Sequence, residues 1–595
     1  MNAVDRGDLI RVAGVAVAAA LVWFHVWEPF PQISLIGVLA TLIGGYPIFK
    51  EAIENLLERR MTMELSMTIA LVAALLIGQY VTALVITLFV LIAEILEHLT
   101  LSRGRRAIGD LLDLLPRETF SPGDVVLVRP GALVPVDGVV VTGHSFVDEA
   151  RITGESLPAE KLPGSKVFAG TVNQIGAFEV RTERAGRDTA FGRIIDMVES
   201  AEQARAPIER LADRFSGYLV YFALGAAAIT YAVTRDVRST ISVVIVAGAC
   251  GIAAGTPLAV LGAIGRAARE GAIVKGGRYL EVLSAIDTVV LDKTGTLTFG
   301  EAEVLDVHPA FGTQDEELIA VASSAERPSE HPLGAAIVRR AQALGVATIE
   351  PSSFSYTPGR GIVAALGERE AIVGNRAFLS ERGIFAETNG TCSGASAIEV
   401  ALGGRYLGAI CVADTLRPEA RNAVRALHEM GLRVILLTGD NATVARVIGD
   451  QLGIDEVEAD LLPEGKVARV EALVRAGRSV AMVGDGVNDA PALARASVGI
   501  AMGSGTEVAR ESADVVLIGN DLEKLVETLR IARRARRIVL QNFVGTIVVD
   551  AIGMIFAGLG LLGPLAAAFV HVTSELAFIL NSTRMLPAPR RQNGQ

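Results

Sequence analysis

The chain is short of cysteine, of charge and of any basic excess. Its 595 residues hold 3 cysteines, Cys250, Cys392 and Cys411. They are too scattered for a disulfide framework, and no CxxC or Cys/His finger spacing occurs. Cys392 and Cys411 read as ordinary buried residues. Charged residues make up 20%, against roughly a quarter in a typical soluble domain. Lys+Arg number 55 and Asp+Glu 66, a net charge of −11. That balance does not suggest a nucleic-acid binder. The low hydrophobicity that marks disorder is also missing, since 51% of residues are apolar and mean hydropathy is +0.44. No small-residue cleavage site follows the first apolar segment, so it is not a secretory signal.

What is present is hydrophobicity in blocks. Stretches near 9–27, 33–49, 64–80, 82–98, 215–233, 241–263, 538–562 and 564–583 each approach the roughly 20 residues that cross a bilayer core. Eight such stretches predict eight spans. Basic residues follow spans 2, 4, 6 and 8 and precede span 7, whereas the loops after spans 1, 3 and 7 have none. Arg235 and Arg238 after span 5 are a mild exception. Both termini and both large hydrophilic blocks are therefore expected in the cytoplasm, with the protein in the cell membrane.

The first hydrophilic block, 104–205, has β-branched runs broken by Gly and Pro, as in "DVVLVRPGALVPVDGVVVTG", and predicts a small β domain. The second, 267–535, alternates strand-like and helical stretches, which predicts a parallel sheet with its chemistry at the strand carboxyl ends. Residues 301–410 differ in texture and read as an inserted domain. The expected boundaries are 1–103 for spans 1–4, 104–205 for the β domain, and 206–269 for spans 5–6. The α/β domain then takes 270–300 and 411–530 around the 301–410 insert, and 531–595 carry spans 7–8 and a tail.

Three predicted strands end in polar loops suited to phosphate. "TVVL" runs into Asp292-Lys293-Thr294-Gly295-Thr296, where a carboxylate at a strand end can attack a phosphoryl group. Thr438-Gly439-Asp440 offers a hydroxyl and backbone N–H groups. Asp485 and Asp489, in "GDGVNDAPAL", are hard oxygen ligands for Mg²⁺. Lys466, in "PEGK", supplies a point charge. A lone loop aspartate is usually a cap or turn, but several segments here point to one chemistry.

"DKTGTLT", "TGD" and "GDGVNDAPAL" resemble the phosphorylation-domain signatures of P-type ATPases, and "TGES" at 153–156 resembles their actuator loop. The resemblance implies a multidomain membrane protein. It would combine about eight transmembrane α-helices, a β-rich actuator domain, a Rossmann-like (haloacid-dehalogenase-type) α/β phosphorylation domain and an inserted α+β nucleotide-binding domain. It implies that Asp292 is phosphorylated from ATP, and that Thr294, through its carbonyl, and Asp485 hold Mg²⁺ with it. Thr438 and Lys466 would bind phosphoryl oxygens. Glu155, in Thr153-Gly154-Glu155, would position the hydrolytic water. Lys293, Gly439, Asp440, Asn488 and Asp489 complete the implied catalytic set.

Four spans before the β block, two between the blocks and two after resemble the heavy-metal-transporting branch. "SEHPLG" at 329–334 and "PGRGI" at 358–362 are similar to its nucleotide-site motifs. They imply that Glu326, His331, Gly359, Gly361 and Asn375 line the ATP site. Gly44-Gly45 resembles that branch's helix kink and amphipathic platform. The sixth span departs from the pattern. Where the branch carries Cys-Pro-Cys, this chain has Gly248-Ala249-Cys250. Asp550 in span 7 and His571 and Glu575 in span 8 then become candidate ligands with Cys250, because buried charge is costly and seldom isolated. Helix–helix pairing of Asp550 with His571 is the simpler account of two of them. The mixed S/N/O set suits a divalent ion such as Zn²⁺, Co²⁺, Ni²⁺ or Fe²⁺ better than Cu⁺. A pump for protons, a harder cation or copper is the alternative, and a non-transporting membrane phosphatase or sensor the remote one. Glu94 in span 4 is a candidate exit-path carboxylate. Ahead of span 1 there is no Cys or His, so ions are expected to reach the platform directly or from a carrier. The other expected partner is the bilayer, with no nucleic acid and a monomeric state.

Overall fold

The structure is a computed structural model. It describes residues 6–27, 29–30, 33–57, 63–112, 120–149, 158–189, 192, 206–248, 250–329, 331–357, 360–385, 392, 395–440, 442–485, 489–503 and 511–586, with the side chains at 6, 63–64, 66, 97–98, 100–112, 250, 253, 301 and 332 excepted. The chain divides into two compact units, 1–285 with 527–595, and 286–526.

In the first unit, three helices are long and apolar enough to span a bilayer: Pro207–Thr234, Leu522–Gly558 and Pro564–Thr583. Leu35–Gly44 and Tyr46–Leu57 qualify as a pair, bent by 58° where Gly44-Gly45 interrupts them. Met67–Leu76, Tyr80–Leu96 and Val237–Val246 are apolar but shorter. Arg6–Trp23 carries Arg6, Asp8 and Arg11 in its first turns. Length and composition alone therefore do not yield the eight spans expected. The sixth stretch is broken into Val237–Val246, Cys250–Ala253 and Gly255–Arg269. That break forms without the family's proline.

The long helices turn large apolar side chains outward, and one of them buries polar groups. Leu522–Gly558 buries Asn542, Thr546 and Asp550 and exposes Val544, Ile547, Val548, Ile552 and Ile555. Pro207–Thr234 exposes Tyr218, Tyr221, Phe222, Ile229 and Val233. Apolar exposure on this scale is a liability in water and correct in hydrocarbon.

Between residues 125 and 185 lie two small antiparallel sheets. One has four strands, ordered Val125–Val128, Phe178–Ala185, Val136–Gly143, Lys166–Val167. The other has three, ordered Ala159–Lys161, Ser145–Asp148, Val172–Ile175. Val128, Val136, Val140, Val167, Phe178 and Val180 form the apolar core there. Burial alternates along Phe178–Ala185, where Phe178, Val180 and Thr182 turn inward at every second position.

The second unit holds a parallel sheet and an antiparallel one. The parallel strands run in the order Glu456–Glu458, Arg433–Leu437, Thr288–Asp292, Val480–Gly484, Val498–Ala501, Val515–Leu517. Thr288–Asp292 and Val480–Gly484 are buried at every position, as expected when helices cover both faces of a sheet. The antiparallel sheet is ordered Thr298–Pro309, Arg405–Leu416, Ser396–Leu402, Arg369–Gly374, Gly361–Leu366, Ser353–Thr357. Helices Asp315–Glu326 and Pro332–Ala343 cover one face through Leu318, Ala322, Ile337, Ile398, Ile410 and Val412.

Candidate active site and membrane pocket

Asp292 ends the central strand of the parallel sheet. Leu437 pairs with Asp292, and Leu291 with Val483, so Thr438 and Asp485 leave neighbouring strands at the same level. Lys466 comes from the first turn of the helix Pro463–Arg475. Its Nζ donates to Asp292 Oδ1 and, at 2.8 Å, to Asp489 Oδ1. Asp292, Lys466 and Asp489 are all buried. Oxygens of Asp292, Asp485 and Asp489 lie within 4.8 Å of one another. Three carboxylates against one ammonium leave a local excess of negative charge, the chemistry of a Mg²⁺ cradle.

The electrostatics follow from that excess. Burial pushes the Asp292 carboxyl up to about 7, Asp489 adds to the rise, and Lys466 opposes it. Burial and the same Asp489 raise Asp485 to about 6. Burial works against the charged form of Lys466, but Asp292 and Asp489 together outweigh it and its pKa is raised. The ammonium is therefore secure, while the carboxylates call for a cation.

The loop after Asp292 is held on both sides. Lys293 Nζ lies 2.6 Å from Asp440 Oδ2. Gly295 has φ +71°, and a β-carbon there would run into the Asp485 carboxylate, so glycine is required. Thr294, next to it, is exposed. Thr438 is buried, and its Oγ1 accepts from the Asp440 N–H at 3.1 Å across Gly439. Two groups that the sequence reading passed over complete the support. Arg417 Nε donates to the Thr296 carbonyl at 3.0 Å, and its Nη2 to the Gly295 carbonyl at 3.1 Å. Asp414 Oδ1 accepts from the Gly300 N–H at 3.0 Å, and Thr298 Oγ1 donates to its other oxygen. The signal was "DTLRP", polar residues closing a long apolar strand.

On the antiparallel sheet's covered face, Glu326 is buried at the end of its helix, and burial raises its pKa. Its Oε2 has no hydrogen-bond partner among the described residues, and it abuts Gly334, where any β-carbon would collide with it. His331 caps the next helix, Nδ1 accepting from the Leu333 N–H at 3.3 Å with the ring exposed. Gly361 starts its strand, and Asn375 caps Arg376–Ser380 by accepting from the Phe378 N–H at 2.9 Å.

In the membrane unit, the break at Ala247–Cys250 is met by two helices. Gly553 faces Val246 and Thr546 faces Gly251. Asp550 falls between them at helical spacing, so it shares the face turned to the break. In the helix Pro564–Thr583, His571 faces Gly248, Phe578 faces Gly251, and Ser582 faces Gly255. Glu575 lies on that same face. Asp550, His571 and Glu575 are all buried, and Asp550 Oδ2 has no hydrogen-bond partner among the described residues. Below the pocket, Asn542 Nδ2 donates to Ser582 Oγ, which donates to the Gly255 carbonyl, each at 2.8 Å. Glu94 is half-buried in Tyr80–Leu112.

Residues 286–497 match the haloacid dehalogenase-like hydrolase family, and residues 103–199 the P-type ATPase actuator domain. A copper-exporting P-type ATPase of Staphylococcus saprophyticus is 36% identical over 535 residues, 85% of this chain and 67% of that protein. One from Staphylococcus aureus strain Newman is 37% identical over 547 residues, covering 86% and 68%. A zinc-transporting PIB-type ATPase solved in its E2.Pi state is similar with a TM-score of 0.61 at 31% identity, covering 98% of this chain and all of that one. The chain belongs to the heavy-metal-transporting branch of the P-type ATPases. It is an ion-translocating ATP hydrolase of the membrane with soluble catalytic domains, and it exports a heavy-metal cation.

In this P-type ATPase the structure brings together Asp292, Lys466, Asp485 and Asp489, with Lys293 and Asp440 alongside. Thr153, Gly154, Glu155, Gly359 and Asn488 lie outside the described residues. Cys250 opens a short helix two residues after Gly248. Cys392 and Cys411 are not ordinary separate buried residues: they are joined as a disulfide, Cα–Cα 5.4 Å. Their spacing carries no clue, because 19 residues separate them and the sheet closes the gap.

Proposed function

We propose that this pump exports a borderline divalent transition-metal ion, using Cys250, Asp550, His571 and Glu575 as its membrane ligands. The observation that carries the reading is the packing of His571 against Gly248, which leaves no room for a side chain at that position. An imidazole occupies the space in which a Cys-Pro-Cys sequence would offer its first thiol. One sulfur, one nitrogen and two carboxylates favour ions of intermediate softness over Cu⁺. Copper is the second reading, favoured by the copper-exporting relatives at 36% and 37% identity.

The catalytic cycle we assign is an aspartyl-phosphate cycle. An Asp292 carboxylate oxygen bonds to the γ-phosphorus of ATP as the bond to the β,γ-bridging oxygen breaks, and ADP leaves with that electron pair. Lys466 offsets phosphoryl charge, and Thr438 donates to a phosphoryl oxygen. Bound Mg²⁺, held by Asp292, Asp485 and the Thr294 carbonyl, supplies further charge neutralisation, and Asp489 keeps Lys466 in place. Glu155 then orients water onto the acyl phosphate. Glu326, with its buried free oxygen, offers an acceptor to the exocyclic amine of adenine beside His331, Gly359, Gly361 and Asn375. Export is coupled to this cycle only through different ion affinities of the membrane site in the two states. The actuator, phosphorylation and nucleotide-binding roles are assigned to 104–205, to 270–300 with 411–530, and to 301–410.

The test is ATPase activity of the purified protein against single ions, including Cu⁺ under reducing conditions. Stimulation by Zn²⁺, Co²⁺, Ni²⁺ or Fe²⁺ that is lost in Cys250→Ala supports the reading. Stimulation by Cu⁺ alone, or full divalent stimulation in Cys250→Ala, rejects it.

A further inference from the structure

Two of the three cysteines in this chain meet on the sheet that carries the ATP-site candidates, and the transport cycle uses neither. Asp306 pairs with Cys411 across antiparallel strands, and His308 with Ala409. Residues two apart share a face, so Asp306, His308 and Cys411 look the same way. The residues between them, Val307, Ile410 and Val412, face the helices on the other side. Cys392 comes from the segment before Ser396–Leu402 and lands on the Cys411 side. The two sulfurs and a ring nitrogen of His308 lie within 4.8 Å of one another. His308 Nε2 is also 3.5 Å from Asp306 Oδ2.

A thiol pair beside an imidazole, with a carboxylate behind that imidazole, is a soft-to-borderline metal donor set. The carboxylate is placed to orient the ring. Cys411 is 2% exposed, whereas Cys392 and His308 are half-buried, so the set has a rigid floor and an open side. The surroundings decide between cross-link and ligand. In the cytoplasm, thiols are kept reduced, and a cysteine pair in an intracellular domain more often binds metal or senses redox than staples the fold. Reduction takes two electrons and two protons from two small-molecule thiols, which join as one disulfide, and leaves two free thiols here. A divalent ion would then displace both protons and bind two thiolates.

We propose that Cys392, Cys411 and His308 form a second metal site, cytoplasmic and separate from the membrane pocket, that binds a thiophilic cation such as Zn²⁺ when the cysteines are reduced. This inference does not rest on the assignment of the transported ion.

The experiment uses the full-length protein in detergent, carrying Cys250→Ala to remove the membrane thiol, reduced by a phosphine and titrated with Co²⁺. One equivalent should give thiolate-to-cobalt charge-transfer absorption and the visible bands of a tetrahedral ion. The charge-transfer band should vanish in Cys392→Ala and Cys411→Ala on that background. His308→Ala should keep it but weaken binding by about tenfold or more. This variant guards against misfolding, since it leaves both thiols in place. Absence of sulfur-to-cobalt absorption in the reduced protein overturns the proposal. So does alkylation trapping in freshly lysed cells that finds Cys392 and Cys411 already joined.

Discussion

Gly248 presents its bare α-carbon to the imidazole of His571. A β-carbon at 248 would stand 2.8 Å from Nε2 and closer still to Nδ1 and Cε1. The two positions are therefore coupled: a side chain at 248 and an imidazole at 571 cannot both occupy this space. Gly248→Cys, which restores one thiol of the family pattern, should cut metal-stimulated ATPase by about tenfold or more, because overpacking of this kind costs about 1–3 kcal/mol. His571→Ala in the Gly248→Cys background should recover part of the loss. A double-mutant cycle on metal-stimulated rates measures the coupling, expected at about 0.5–3 kcal/mol for residues in contact. Additive effects would mean that the ring simply moves aside.

Asp292→Asn should abolish ATP-dependent phosphoenzyme, measured as acid-precipitated radiolabel, without lowering stability in the absence of Mg²⁺. The reason is electrostatic. The substitution removes one of three clustered carboxylates, so repulsion with Asp489 falls. Lys466→Met does the opposite. It leaves Asp292 and Asp489 buried without their shared ammonium, and breaking a buried pair in this way costs about 3–5 kcal/mol. Thermal melting of the two variants should move in different directions, while both lose turnover.

Arg417 makes a sharper test of the loop than the nucleophile does, since it touches no reacting atom. Its guanidinium fixes the Gly295 and Thr296 carbonyls from one side. Hydrogen bonds from a charged group are worth about 1.5–3 kcal/mol each. Arg417→Ala should therefore slow phosphoenzyme formation by about tenfold or more with little change in Mg²⁺ affinity. Arg417→Lys should not restore it, because a lysine lacks the rigid planar fork of donors that meets the Gly295 and Thr296 carbonyls. Rapid-quench phosphorylation at saturating ATP would measure both.

The residues that could be read in sequence were those whose chemistry is local. A run such as Thr288–Leu291 can only be a buried strand, and the aspartate that ends it meets Thr438 and Asp485 because parallel strands end together. The Gly44-Gly45 bend was legible for the same reason: two glycines weaken one helix. What escaped depends on distance across the fold. Arg417 is 122 residues from Gly295 along the chain, and nothing in "DTLRP" names its partner. Cys392 and Cys411 looked unrelated because their meeting is set by strand register and not by spacing. Gly248 read as an absence, a missing cysteine, until the ring of His571 was found filling its place.

Mg²⁺ and protons should compete at the phosphorylation site, and the direction follows from the carboxylates. Asp292 and Asp485 ordinarily titrate at 3.8 and here lie at about 7 and about 6, so the folded protein holds protons that the unfolded chain has released. Stability from these groups is full below pH about 4 and is lost as pH rises through 6 to 7. Metal-free protein should therefore lose melting temperature between about pH 4 and pH 7 through these two groups. Bound Mg²⁺ takes over the role of the protons, so its stabilising effect should grow over the same interval, with proton release on binding near pH 6. Each pH unit by which a single carboxyl is shifted corresponds to about 1.4 kcal/mol between its two forms. Melting curves at several pH values with and without Mg²⁺, repeated in Asp292→Asn, separate this contribution from other titrating groups. The variant should show a shallower pH slope. If wild type and Asp292→Asn respond identically to pH and Mg²⁺, the buried carboxylate at 292 is not where the metal and the proton exchange.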